Sequence, residues 1–253
     1  MKKLFTAITF ILLTVSSAWA GGTAIVDVNN GIYLRMVSTD IQVTVENQAA
    51  VVKARQTFKN TFSTQKDVKY GFPLPEGASA SQLQFKVNWQ WYKAKFAAVP
   101  QDTSLPGPGG EVDFNLKKHL GETPLYYNID YPVQADSLLN VELTYVQLLP
   151  YSFGMVDFSF KNDYRYIQIY PIESLTFQFS LSSDRTINHI ELLDLVPDSL
   201  SSDENSAFVS FAVYEDIPKY NFNVQYELSA EELGLFSMTT FMPDTTVLPD
   251  QHG

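Results

Sequence analysis

Apolar and polar residues alternate with period two along most of this chain. In residues 40–46 (DIQVTVE), Ile41, Val43 and Val45 fall on one side, while Gln42, Thr44 and Glu46 fall on the other. That period marks a half-buried β-strand. Burying each of the three apolar side chains stabilises by roughly 1.5–3 kcal/mol. Residues 52–62 are β-branched and aromatic, with Lys53, Arg55 and Lys59 interleaved. Residues 82–87 (QLQFKV), 139–145 (LNVELTY) and 155–160 (MVDFSF) alternate cleanly, and further runs lie at 175–181, 207–214 and 220–228. Each run is bounded by Pro, Gly, Asn, Asp or Ser, as strands are. The pattern predicts an all-β protein, an antiparallel β-sandwich with at most short helical turns.

Helical signal is scarce. Residues 229–233 could form one turn, with Ser229 as N-cap and Glu232 three residues on. Residues 117–120 are a second candidate turn. Residues 100–111 (PQDTSLPGPGGE) read as a turn-rich loop, and residues 198–206 (DSLSSDENS) as a short, solvated acidic loop.

Residues 69–78 (KYGFPLPEGA) place two prolines one residue apart, straight after a strand-like run. Proline has no N–H to give to a ladder, so the pair must end one strand and aim the next. Gly77 permits the turn, a new strand is expected near Ser81, and Leu74 can plug the end of the core.

The wording of this stretch is also specific. Residues 54–60 (ARQTFKN), followed by residues 68–78 (VKYGFPLPEGA), resemble the VIT domain, the module named for vault proteins and inter-alpha-trypsin inhibitor heavy chains. The residues that carry the resemblance are Phe58, Asn60, Tyr70, Phe72, Pro73, Leu74 and Pro75, and their implied role is structural. Residues 131–150 look like the second half of such a module, and residues 216–228 like its closing strand. The resemblance implies a non-enzymatic module for protein–protein contact or scaffolding. The family often carries a charged, alanine-rich segment where this chain has residues 88–96 (NWQWYKAKF) and the Pro/Gly loop. Such proteins commonly continue into a von Willebrand factor A domain with a cation-binding Asp-x-Ser-x-Ser motif, and that motif is absent from this sequence. The expectation is that this chain is the N-terminal part of a longer adhesion-type protein.

The first twenty residues change the picture of location. Lys2 and Lys3 precede a mostly apolar run, and Ala18-Trp19-Ala20 closes it in a small-x-small pattern. This reads as a secretory signal peptide, residues 1–20, cleaved after Ala20. The domain is then expected over residues 21–242, with a C-terminal tail at 243–253. No later apolar run reaches the ~20 residues that spanning requires, so a membrane-spanning mature chain is not expected. Losing Lys2 and Lys3, and no acid, takes the net charge from −11 to −13. So acidic a chain repels phosphate backbones, and nucleic acid is not an expected partner. There is no cysteine. An exported chain of this kind must be held by its core alone, and thiol chemistry is excluded.

Candidate chemistry is sparse. His119, His189 and His252 have no histidine neighbour three or four residues away, so they read as ordinary surface histidines. No nucleophile elbow, phosphate-cradling loop or cofactor motif is present. Catalytic, cofactor and metal residues are therefore expected to be none. Trp89, Trp91 and Tyr92 are the candidate partner-binding residues. Trp89 and Trp91 would share one face of a strand, as an aromatic platform for a protein or a sugar, or else pack into the core or beneath the Pro/Gly loop. Two alternatives to the interaction module stand beside it, an outer-membrane β-barrel and a carbohydrate-binding β-sandwich.

Overall fold

The computed structural model describes residues 21–94, 106–121 and 124–229. The expected signal peptide at residues 1–20, most of the expected turn at 229–233, His252 and the tail at 243–253 lie outside the described residues. In chain order the strands are β1 (Thr23–Asp27), β2 (Ile32–Tyr33), β3 (Arg35–Glu46), β4 (Ala49–Lys59), β5 (Lys66–Phe72), β6 (Ser79–Val87) and β7 (Gln90–Lys93). One helix, α1 (Phe114–Leu120), follows. Then come β8 (Leu125–Val133), β9 (Leu138–Leu148), β10 (Tyr151–Ser152), β11 (Met155–Phe160), β12 (Ile172–Ser182), β13 (Ile187–Leu193), β14 (Ser199–Ser202), β15 (Ser206–Asp216) and β16 (Phe222–Leu228).

They form one eight-stranded sheet, in the order β14-β15-β12-β3-β4-β9-β6-β7, and two four-stranded sheets, β2-β1-β5-β8 and β10-β11-β16-β13. The smaller sheets share the inner face of the large one. Phe58 of β4 meets Tyr70 of β5, and Phe72 of β5 meets Tyr145 of β9. Phe158 of β11 meets Phe177 and Phe179 of β12, while Phe177 stacks on Phe222 of β16 at 4.3 Å between ring centroids. The predicted sandwich is the observed fold. Among the described residues the large sheet is open, with β14 and β7 at its two edges.

Alternation explains the layers. Ile41, Val43 and Val45 are buried, as are Val52, Ala54 and Phe58 of β4 and Leu139, Val141, Leu143 and Tyr145 of β9. One pairing departs from the antiparallel expectation. β12 lies parallel to β3, with Phe177 opposite Ile41 and Phe179 opposite Val43. Both strands alternate in the same phase, so a parallel register still puts every apolar residue inside.

The VIT-like residues hold the seam between sheets. Phe58 and Phe72 are buried, and Asn60 is fully enclosed. The Asn60 side-chain amide donates to the carbonyls of Thr64, Val133 and Gln134 at 2.8–3.1 Å, and its Oδ1 accepts from the Phe62 N–H. One asparagine thus ties two loops to the end of β4. β5 stops at Phe72, before Pro73 and Pro75, as the missing N–H groups require. Leu74 packs against the core edge, and Gly77 turns the chain at φ 73° into β6, which starts two residues before the expected Ser81.

The acidic stretch 198–206 is not a free loop. Ser199–Ser202 form β14, paired with β15, and only the turn between them is irregular. All four residues are exposed, which is why the stretch looks loop-like in sequence.

His119 corrects the surface assignment. It is fully buried on α1. Asp113 caps this helix by accepting from the Leu116 N–H, and Leu116, His119 and Leu120 share its inward face at i, i+3 and i+4. His119 Nε2 donates to the Gly21 carbonyl at 2.9 Å, and the ring packs on Tyr164. Burial pushes the imidazole down to about 4, against a weaker pull upward from the Gly21 carbonyl and Asp163. Flanking charges (Lys117, Lys118) made the segment look polar, while the helical period carried His119 inward.

Candidate interaction site

Trp89 sits in the two-residue loop of the β6–β7 hairpin. Val87 pairs with Gln90, leaving Asn88 and Trp89 as the loop. Both have positive φ, 50° and 68°. This is the mirror-image turn that suits a twisted hairpin, and its positions normally take Asn then Gly. Asn88 fits. A tryptophan at the second position is strained, at a cost of roughly 1–3 kcal/mol. Its side chain recovers little, since Trp89 is 90% exposed. Lys86 places its ammonium 5.5 Å from the Trp89 ring centroid, a contact that offsets part of the strain.

The strand-face expectation for Trp89 and Trp91 is therefore corrected. Trp89 belongs to the turn, and Trp91, on the edge strand β7, is half exposed. Neither packs in the core. Tyr92 turns the other way, stacking on Phe85 at 5.5 Å and on Tyr131 of β8 at 4.2 Å. It anchors the hairpin rather than extending the platform.

Trp91 closes a polar surface that the sequence pattern did not reveal. Strand register aligns two rows across the outer face of the large sheet. One row runs Thr176, Asp40, Arg55, Glu142, Gln84, Lys93 across six strands. Thr176 donates to Asp40 at 2.6 Å. Arg55 bridges Asp40 at 3.1 Å and Glu142 at 2.6 Å, and Gln84 donates to Glu142 at 2.9 Å. Single exposed ion pairs contribute little, but a shared network holds its side chains in place. The next row is Ser174, Ser38, Thr57, Asn140, Lys86 and Trp91. Asn140 donates to Thr57 at 2.8 Å. The two rows, except Gln84 and Lys93, line a groove of about 430 Å³ with Trp91 in its wall. Each row residue was visible as an outward position. Only pairing shows that they share a row.

Among the described residues, no three His, Cys, Asp or Glu side chains are grouped to hold a metal ion. Among the same residues, no helix is long and apolar enough to cross a membrane.

The fold and this surface define a β-sandwich module with an ordered polar face and a strained aromatic hairpin at one edge. Residues 36–98 match the family model of the VIT, or Vault protein inter-alpha-trypsin, domain. The resemblance read from the motif residues holds for that stretch, which runs from β3 through β7. Residues 131–150, read as the module's second half, lie beyond it, yet β9 is the strand inserted between β4 and β6. A search of curated protein sequences finds no match. Among solved structures, a candidate nutrient-binding protein of Legionella pneumophila is similar, with a TM-score of 0.53 and 14% identity, over 83% of this chain and 72% of that one. That likeness supports the fold alone. An M1 zinc metallopeptidase of Deinococcus radiodurans aligns with a TM-score of 0.42 and 11% identity, over 81% of this chain and 42% of that one.

Proposed function

We propose that this protein is an exported, non-enzymatic module that binds a protein partner through the β6–β7 hairpin and the groove beside it. Trp89 carries the reading. A large aromatic in a backbone conformation suited to glycine, almost wholly exposed, adds cost to the fold without packing in return. Such a residue makes sense as a contact, because tryptophan is favoured among residues that dominate binding energy. β7 is also an edge strand whose outer N–H and C=O groups can pair with an incoming strand. The VIT match over residues 36–98 supports an interaction role. Export rests on the residue pattern of positions 1–20.

The test is a photo-crosslinking amino acid at Gln90, in the producing cell. A discrete adduct that disappears with Trp89→Ala and Trp91→Ala is expected. An adduct that persists in both variants would count against the hairpin. The intact mass of the native protein tests the adhesion-type context. A species much heavier than 28.5 kDa makes this chain the front of a longer protein.

A second reading is favoured by the hydroxyl and amide row. Ser174, Ser38, Thr57 and Asn140 lead up to a half-exposed Trp91, an arrangement that can hydrogen-bond and stack on a sugar. Glycan-array binding lost on Trp91→Ala but kept in Trp89→Ala would move the function to this reading.

A further inference from the structure

The two edges of the large sheet carry opposite charge. Between Glu76 and Asp102 the chain has no Asp or Glu, and this stretch supplies β6 and the edge strand β7, with Lys86 and Lys93. Between Arg185 and Lys219 it has no Lys or Arg, and this stretch supplies β15 and the other edge strand, β14. Asp194, Asp198, Asp203 and Glu204 flank β14, and all four are exposed. The edges match in length, since Gln90–Lys93 and Ser199–Ser202 are four residues each.

They also match in direction. Each neighbouring pair between the two edges is antiparallel except β12 with β3, so β14 and β7 run the same way. A second copy set beside the first without turning over would therefore lay its β14 parallel to β7. The faces agree as well. Trp91 and Lys93 point to the outer face with Lys86 and Gln84. Ser199 and Ser201 do so with Ser210 and Phe208. A register with Ser201 opposite Trp91 keeps these residues outward and puts Leu200 on the inner side with Gln90 and Tyr92. That register brings Asp203 and Glu204, just past β14, level with Lys93. It also brings the Trp89 turn to the segment ahead of β14, where Val196 is almost wholly exposed, as Trp89 is.

We infer that the β7 edge of one copy adds to the β14 edge of a second copy, head to tail, extending the large sheet from molecule to molecule. This rests on the reading of the β6–β7 hairpin as a contact and names its partner. The symmetric alternatives fail on charge. Pairing β7 with β7 gathers lysines, and pairing β14 with β14 gathers carboxylates. Short charged edges guard a sheet against random pairing, and here each edge excludes its like and admits its opposite. A head-to-tail contact leaves a free edge at both ends, so copies add into open chains or a ring. Four-residue edges make a small interface, so the contact is reversible.

The test is sedimentation velocity on the chain from Gly21 to Gly253, over a concentration series. The average mass is expected to rise with concentration. Raising salt from ~0.05 M to ~0.5 M should weaken association about tenfold, because exposed charges are screened. Lys86→Glu with Lys93→Glu should give monomers, and so should Asp203→Lys with Glu204→Lys. Mixing these two variants should restore association, since each edge then meets its opposite, and a misfolded variant could not be rescued in this way. Monomers at every concentration, or no rescue on mixing, would overturn the inference. A photo-crosslinker at Gln90 separates this from the hairpin reading. An adduct of twice the chain mass, joined near Ser201, supports self-addition. An adduct with a different protein, from a chain that sediments as a monomer, overturns self-addition and leaves the hairpin as a contact. No adduct at all overturns both.

Discussion

Two buried polar groups in this core differ in how far their hydrogen bonds are satisfied. The first lies beneath α1. The Tyr70 hydroxyl donates to Gln56 Oε1 at 2.6 Å, and Gln56 Nε2 lies 2.6 Å from the Tyr164 hydroxyl, which donates to the Gly22 carbonyl at 3.0 Å. This chain of bonds joins β4, β5 and the segment before β1 with no free end among those groups. The second is the Tyr145–Gln147 pair, where neither the hydroxyl nor Oε1 is matched. A satisfied buried network rigidifies a fold, whereas an unsatisfied one is a liability unless something else completes it. The same residue type, tyrosine, serves as a brace in one place and leaves its hydroxyl unmatched in the other.

Substitutions should expose this contrast. The largest effect is expected at Gly22, where a Cβ would overlap the Tyr70 hydroxyl and the Gln56 carboxamide. Gly22→Ala should lose about 3 kcal/mol or more in urea denaturation, as overpacking of a rigid core does. A loss under about 1 kcal/mol would mean that the brace yields and the contrast is false.

Acid should act next, through His119. Its folded pKa of about 4 lies below the ordinary 6.5, so the unfolded chain binds the proton more readily in between. Its contribution is complete above pH 6.5 and is lost as the pH falls towards 4. The loss is roughly 3 kcal/mol over that range. Denaturant midpoints measured from pH 7 to pH 4 should fall, and the part due to His119 should be absent in His119→Phe. Asp163, whose carboxyl is held low by Arg165, stays charged over this window and does not mimic the effect.

Tyr70→Phe and Tyr145→Phe make the most direct comparison. Tyr70→Phe strips Gln56 Oε1 of its donor and should cost about 1–3 kcal/mol. Tyr145→Phe removes an unpaired hydroxyl and should be neutral or slightly stabilising. Equal costs in thermal melts would show that Tyr145 has a partner after all.

The smallest change in stability is expected at the hairpin. Trp89→Gly relieves the positive φ and should stabilise by about 1 kcal/mol while weakening partner capture. A destabilised variant would show that the tryptophan serves the fold.

Much of the fold was legible because half-buried strands reveal themselves by alternation. β3, β6, β9, β11 and β12 all did so. β1 and β8 did not. β1 begins with three consecutive buried residues, and β8 carries a register shift opposite Lys66 and Val68. Neither presents a period. Gln56 was legible in principle, since it shares the inward phase of Val52, Ala54 and Phe58, and a polar residue in that phase signals a buried hydrogen-bonding role. Gly21 and Gly22 gave no such signal, because a glycine carries no side chain to pattern. The aromatic candidates at 89–92 were found by type. Their division into a strained tip, a half-exposed edge and a stacked anchor depends on the turn, and the polar rows beside them depend on register between distant strands.

The parallel pairing of β3 with β12 has a consequence for how the chain reaches this state. β3 can fold back on β4 as soon as both exist, through the turn at Asn47. Its other edge waits for a strand whose Thr176 lies 136 residues further along. Until that segment arrives, the edge from Ser38 to Glu46 presents an unpaired ladder, and closing so long a loop is slow. The family-matched stretch ends long before β12 and also lacks β9, so it does not contain all the strands that its own strands pair with. Expressed alone it should pair edge to edge with its own copies, and a chaperone that shields nascent strands should matter most in the interval before β12 is made.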